Sequence, residues 1–376
     1  MHKSNLWYSS LEEEVISLLY KLKRQDSSFQ FNPVLSGNSI AGKKIKLGPS
    51  IYASKILKIL NSNEFINGDS IHDWSNFINS FQKQKSNFPD NSFIDEGYLS
   101  EIIKLNFNNN FKNLIKKIIL SVNKSVSFDT NEQKIINSVK AESKQAISTL
   151  FEFNMKNRYL YTDFPKKDST TTDYLDSYNW GFPWNSGAQF AGQCLFTSTQ
   201  LSEEEKLKNI QTLSRYIKTK LDEKTGFYFT GTTPSSLQLV NGAMKVLTGL
   251  QWIGEEIHHP EKIIDFCLNY TPNGDGCDLV DVIYVLSVCG KQSEYKKDEI
   301  IKYFDKMVYL IRNHHHPEVG GFSYYINKSQ THYYGLKISE GKNTPDLHGT
   351  LLLVWALAII FDFQEDSRQS WNILRP

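Results

Sequence analysis

Three polar strings interrupt an otherwise helical, apolar chain, and each holds residues fit for chemistry. Lys328-Ser329-Gln330-Thr331-His332-Tyr333-Tyr334 sets an imidazole beside two phenols. That pairing suits proton transfer, with His332 as base and Tyr333 or Tyr334 as acid. Asp346 and His348 follow at the mouth of Leu351-Leu352-Leu353-Val354-Trp355-Ala356-Leu357-Ala358-Ile359-Ile360. A helix of that composition is buried on every side, so polar groups in its first turn mark a site as well as a core.

The second string is Asn273-Gly274-Asp275-Gly276-Cys277-Asp278-Leu279-Val280-Asp281. Asp278 and Asp281 stand one helical turn apart and share a face. Asp275 or Asp278 can cap the helix by accepting its free N–H groups. Three Asp and a Cys within seven residues exceed what one cap needs. The third string runs from Tyr178 to Gln189, where Trp180, Phe182 and Trp184 surround Pro183 beside Asn185 and Gln189. Such an aromatic wall stacks on sugar rings or prenyl chains or shields a cation; it equally describes plain core packing beneath a loop. Gln189, Asn241 and Lys245 interrupt apolar helical segments and are candidates for a pocket wall. His314-His315-His316 precede Pro317 at a helix end, where they complement the helix dipole rather than bind a metal.

The elements that must position these strings are helices. Strand signals are sparse, and helical periodicity predicts N-terminal helices over 10–24, 49–62, 69–84, 95–106, 109–122 and 131–154, with 85–94 exposed to solvent. From about residue 178 a degenerate repeat takes over: a Gly- or Asn-rich turn, a very apolar helix, then a charged helix running back. The apolar helices begin near 187, 236, 278 and 347, and the charged ones cover 202–221, 255–268 and 293–313. Alternating buried and amphipathic helices are what an α/α toroid requires, its inner helices touching neighbours all round and its outer ones showing one face to water; an irregular helical bundle or solenoid is the plainer reading. The expected fold is all-α, an α/α toroid of about six hairpins with an N-terminal helical extension. Residues 1–125 form the N-terminal region, continuous with the barrel, and 126–376 the toroid core carrying the site.

Composition limits the function. Of 376 residues, 40% are hydrophobic and 13% aromatic, ample for a core and incompatible with a disordered chain. A net charge of +1 gives no basic field, so nucleic acid is not an expected partner. The N-terminal segment reads as an amphipathic helix rather than a signal peptide, and the apolar run at 351–361 is too short to span a bilayer. Cys194, Cys267, Cys277 and Cys289 show no paired spacing, which points to free thiols in a reducing, cytoplasmic setting.

Over roughly 140–362 these features resemble the α/α-toroid proteins that include protein prenyltransferase β subunits and the squalene/terpene cyclases. Asp275-Gly276-Cys277 looks like the Asp-x-Cys that opens one inner helix in the β subunits. Gly320-Gly321-Phe322 with Asp346-Leu347-His348-Gly349-Thr350 resembles their glycine turn and Asp-x-x-His-Thr. The resemblance implies a zinc held by Asp275, Cys277 and His348. Here His348 falls one place early, Asp278 and Asp281 follow the Cys, and 323–345 is an insertion. The Asp-x-Asp-Asp string of class II cyclases does not occur.

Two enzyme classes and one binding class follow. In the first, an aromatic-lined cavity holds a polysaccharide or glycosyl substrate for lyase or epimerase chemistry without a cofactor. The catalytic candidates are His332, Tyr333, Tyr334, His348, Asp346 and Asp278, and the binding candidates Trp180, Trp184, Asn185, Gln189, Asn241, Lys245, Gln330 and Asp281. In the second, the zinc set serves an isoprenoid substrate. In the third, the same residues only recognise a ligand. The abundance of Asn, Gln, Tyr and His in the polar strings favours the first, because a prenyl tunnel is mostly apolar.

Overall fold

The computed structural model describes residues 7–25, 27–62, 68–108, 131–366 and 370–376. Among them the fold is all-α: α1 (Leu11–Leu22), α2 (Leu47–Ile59), α3 (Gly68–Asn79), α4 (Glu96–Asn108), α5 (Asn131–Glu152), α6 (Asp168–Asp176), α7 (Pro183–Gln200), α8 (Glu203–Lys218), α9 (Ser236–Ile253), α10 (Pro260–Leu268), α11 (Gly276–Ser293), α12 (Lys297–Arg312) and α13 (Leu347–Phe363). The expected helix at 109–122 lies outside the described residues. Two antiparallel pairs of two-residue strands complete the elements: β1 (Gln82–Lys83) with β2 (Ser92–Phe93), and β3 (His332–Tyr333) with β4 (Leu336–Lys337). The first pair corrects the expectation of a solvated 85–94, since Ser92 and Phe93 are buried and the Phe93 N–H donates to Ser143 Oγ on α5.

The anticipated alternation of buried and charged helices is present from α7 onward. In α13 the burial runs almost unbroken from Leu353 to Phe361. Each such Leu, Ile or Phe contributes about 1.5–3 kcal/mol on leaving water. On α8 and α12 it is confined to one stripe, Leu213, Tyr216 and Ile217 on the first and Ile300, Tyr303, Phe304, Met307 and Ile311 on the second. The starts are set by capping: Ser202 with Glu205 forms a capping box on α8, and Ser235, Asp275 and Asp346 cap α9, α11 and α13.

Six helices touch one another in the order α2, α5, α7, α9, α11, α13, and α13 returns to α2. Helix α2, from the N-terminal part of the sequence, thus packs on α13, the last helix among the described residues. The outer helices α6, α8, α10 and α12 lie against α7, α7, α11 and both α11 and α13 in turn. Helix α1 docks on the turn before α13: Glu14 meets His315 Nε2 at 2.7 Å, and Trp7 lies against His315 with ring centroids 5.2 Å apart. Two glycines make these approaches possible. Gly320 has φ +87, and a Cβ there would lie 2.1 Å from the Glu14 carbonyl oxygen; one on Gly349 would lie 2.3 Å from the Tyr324 nitrogen. No helix among the described residues is long and apolar enough to cross a membrane.

Candidate functional site

Within the six-helix arrangement lies a cavity of about 390 Å³, in the range of small-molecule sites. Each helix gives it one stripe at three- and four-residue spacing: Tyr52, Lys55 and Ile59 from α2; Lys140, Lys144, Gln145 and Ser148 from α5; Gln189, Gly192, Gln193 and Phe196 from α7. Lys245 and Thr248 come from α9, Cys277, Val280 and Asp281 from α11, and His348, Leu351, Leu352 and Trp355 from α13. Tyr161, Phe164 and Pro165 add a wall from the loop before α6, tied down where Gln193 donates to the Pro165 carbonyl. At the C-terminal ends of α2, α5 and α9 the segment 372–376 lies across the cavity. The Asn372 N–H donates to Ile59 O at 2.7 Å, Arg375 meets Glu152 at 3.3 Å, and Trp252 Nε1 donates to Pro376 O at 3.2 Å.

Five side chains of the lining carry a buried polar atom with no hydrogen-bond partner among the described residues: Gln145 Oε1, Tyr161 OH, Asp281 Oδ2, His348 Nδ1 and Trp355 Nε1. Buried polar atoms are almost always paired, and each unpaired one costs about 1–3 kcal/mol. All five belong to side chains that line the one cavity. His348 is held between aromatic faces, stacked on Tyr52 with centroids 4.9 Å apart and on Tyr324 at 5.1 Å.

Burial sets the charge states. It pushes Asp281 up to about 7, against the pull of Lys245. Burial and then Lys245 lower His348 to about 4, so its imidazole is neutral at pH 7. Lys144 falls to about 7 through burial and through Lys245 and Lys55; burial takes Lys55 to about 8. Cys277 is pushed up to about 12 by burial and by Asp281, which keeps it a neutral thiol.

The structure brings Gln189, Lys245, Cys277, Asp281, Tyr334 and His348 to this cavity and places the remaining candidates elsewhere. His332 is exposed on β3 and contacts Thr331 Oγ1, while strand alternation turns Tyr333 into the core, where its hydroxyl donates to Glu142 at 2.9 Å. Asp346 is fully buried as a structural hub, accepting from the backbone N–H of Tyr324, Gln330 and Gly349. Gln330 takes part through that backbone bond. Asp278 accepts from Tyr270 OH and the Asn273 N–H, and Asp275 caps α11. Trp180 is core, its Nε1 donating to Tyr216 OH; Trp184 and Asn185 are exposed at the start of α7, and Asn241 is buried off the cavity.

The donor set does not fit the implied zinc. The Asp275 carboxylate is engaged in capping, and among the described residues no group of three His, Cys, Asp or Glu could hold a metal ion. Residues that sequence reasoning missed are Tyr52, Lys55, Lys144, Gln145, Tyr161 and Trp355. Lys55, set among the buried Ala53, Ser54, Ile56 and Leu57 of α2, is the one visible signal among them. Comparison with protein-family models, curated proteins and solved structures finds no match.

Proposed function

We propose that the protein is an α/α toroid of six helical hairpins whose central cavity holds a glycosyl substrate for acid–base chemistry of the lyase or epimerase type. The six-helix contact order supports the toroid. The mixture of lysine, amide, hydroxyl and carboxyl side chains with aromatic rings on one cavity carries the functional reading, because a polyhydroxylated ligand offers donors and acceptors to the former and stacks on Tyr52, Tyr161 or Trp355.

In this reading Asp281 takes the carbon-bound proton, since a carboxylate near pH 7 is matched to that task. The Lys245 ammonium stabilises the negative charge that develops, and neutral His348 orients a hydroxyl. Tyr334 is the acid, the one member of its string that reaches the cavity. The test is solvent deuterium incorporation into a panel of hexoses, hexuronates and hexose phosphates, read by mass spectrometry. Wild-type protein incorporates deuterium into at least one panel member, Asp281→Asn slows this by about a hundredfold or more, and His332→Ala leaves it unchanged. Binding without incorporation, or incorporation that survives Asp281→Asn, contradicts the assignment.

A further inference from the structure

We infer that the substrate carries a phosphate group, held by Lys55, Lys144 and Lys245 as a three-lysine oxyanion site inside the cavity; this rests on the cavity being the substrate site. The three lysines come from three different helices, α2, α5 and α9, and all line the same space. Lys55 Nζ touches only Ser148 Oγ, at 3.4 Å, and among the described residues none of the three forms a salt bridge. Two further cations line the cavity, Lys140 and Arg375, and Arg375 is already occupied by Glu152 and by the faces of Phe151 and Trp252.

The opposing charge is small. Of the two acids on the lining, Asp163 is exposed and Asp281 is buried among the helices; Glu152, just beyond the lining, acts on Lys55 but is engaged by Arg375. A neutral sugar would leave the three lysines with Asp281 as the buried counter-charge on the lining. A carboxylate matches one of them. A phosphate dianion offers three acceptor oxygens and two charges, which matches three separate point donors. The charged and titratable groups acting on Lys144 are Lys245 on α9, Lys55 on α2 and Cys194 on α7, and the lining adds Lys140 on its own helix, Cys277 and Asp281 on α11, His348 on α13, and Tyr161, Asp163 and Tyr174. Their balance is cationic below neutrality and weakens as Lys144 and then Lys55 lose protons near 7 and 8. Oxyanion binding should therefore fall as the pH rises from 6.5 to 8.5.

Calorimetric titration of the full chain at pH 6.5 with glucose 6-phosphate, glucose and inorganic pyrophosphate tests this. Glucose 6-phosphate is expected to bind at least about a hundredfold more tightly than glucose, and pyrophosphate to compete with it. Lys144→Met and Lys245→Met should each weaken both anions by about tenfold or more, with the exposed Lys224→Met as an unaffected control. Equal binding of glucose and glucose 6-phosphate overturns the oxyanion site and leaves the glycosyl reading standing. Pyrophosphate binding that needs the lysines, with no added affinity from the sugar, supports the oxyanion site and removes the glycosyl reading. Anion binding unchanged in both Met variants, their near-UV circular dichroism intact, overturns the site outright.

Discussion

Replacing Asp346 by alanine should lower the stability of the protein by about 3–6 kcal/mol, the largest single-residue loss expected here. Its carboxylate accepts three backbone N–H groups, from Gly349 at 2.7 Å, Tyr324 at 2.8 Å and Gln330 at 2.9 Å, with no solvent access. Without it, the N-terminus of α13, the chain after the glycine turn and the start of the 330–338 loop each keep an unsatisfied donor at a cost of about 1–3 kcal/mol. Burial raises Asp346 to about 6, and its N–H bonds pull the other way. Asp346→Asn keeps one acceptor oxygen and should fall between wild type and alanine. Denaturant midpoints at constant m-value measure the loss, and a change below about 1 kcal/mol for Asp346→Ala would refute the hub.

The second large effect has the opposite sign. Lys144→Met should stabilise the ligand-free protein at pH 6 by several kcal/mol, on the order of 2–4 once water in the cavity is allowed for. In the folded protein Lys144 titrates near 7, well below the 10.5 of a free lysine, because of burial and then Lys245 and Lys55. A lysine depressed in this way carries its full penalty at and below the folded value. The penalty is relieved as pH rises towards the unfolded value, where the unfolded chain binds the extra proton. The advantage of the methionine variant should therefore be greatest near pH 6 and shrink by pH 9. Thermal unfolding at the two pH values checks it, and an equal or lower melting temperature at pH 6 would mean that Lys144 already has a counter-charge.

The fold was legible where burial is uniform. The apolar runs of α9, α11 and α13 mark helices with neighbours all round, and the one-sided stripes of α8 and α12 mark helices with a wet face, so the alternation could be read directly. The site was less legible, because polarity does not distinguish bulk water from an internal cavity. Lys140 and Lys144 on α5 have the four-residue spacing of a solvent-facing stripe, yet they face inward. The Asp residues that looked chemical, Asp275, Asp278 and Asp346, are placed by the needs of helix starts and turns, and of the four only Asp281, one turn deeper, lines the cavity. In His332-Tyr333-Tyr334 a short strand splits neighbouring residues between solvent, core and cavity, which no helical pattern could forecast.

The cavity as the place of binding is the claim on which the other functional statements depend. Thr248 on α9 lines it with a small side chain, and a tryptophan at this position would occupy the space that a ligand needs. Titrating wild type and Thr248→Trp in parallel with glucose 6-phosphate tests the claim most directly. One ligand should bind per wild-type chain and none measurably to the variant, whose helical circular dichroism is unchanged. Equal affinity in a folded Thr248→Trp would place the ligand elsewhere and contradict the account.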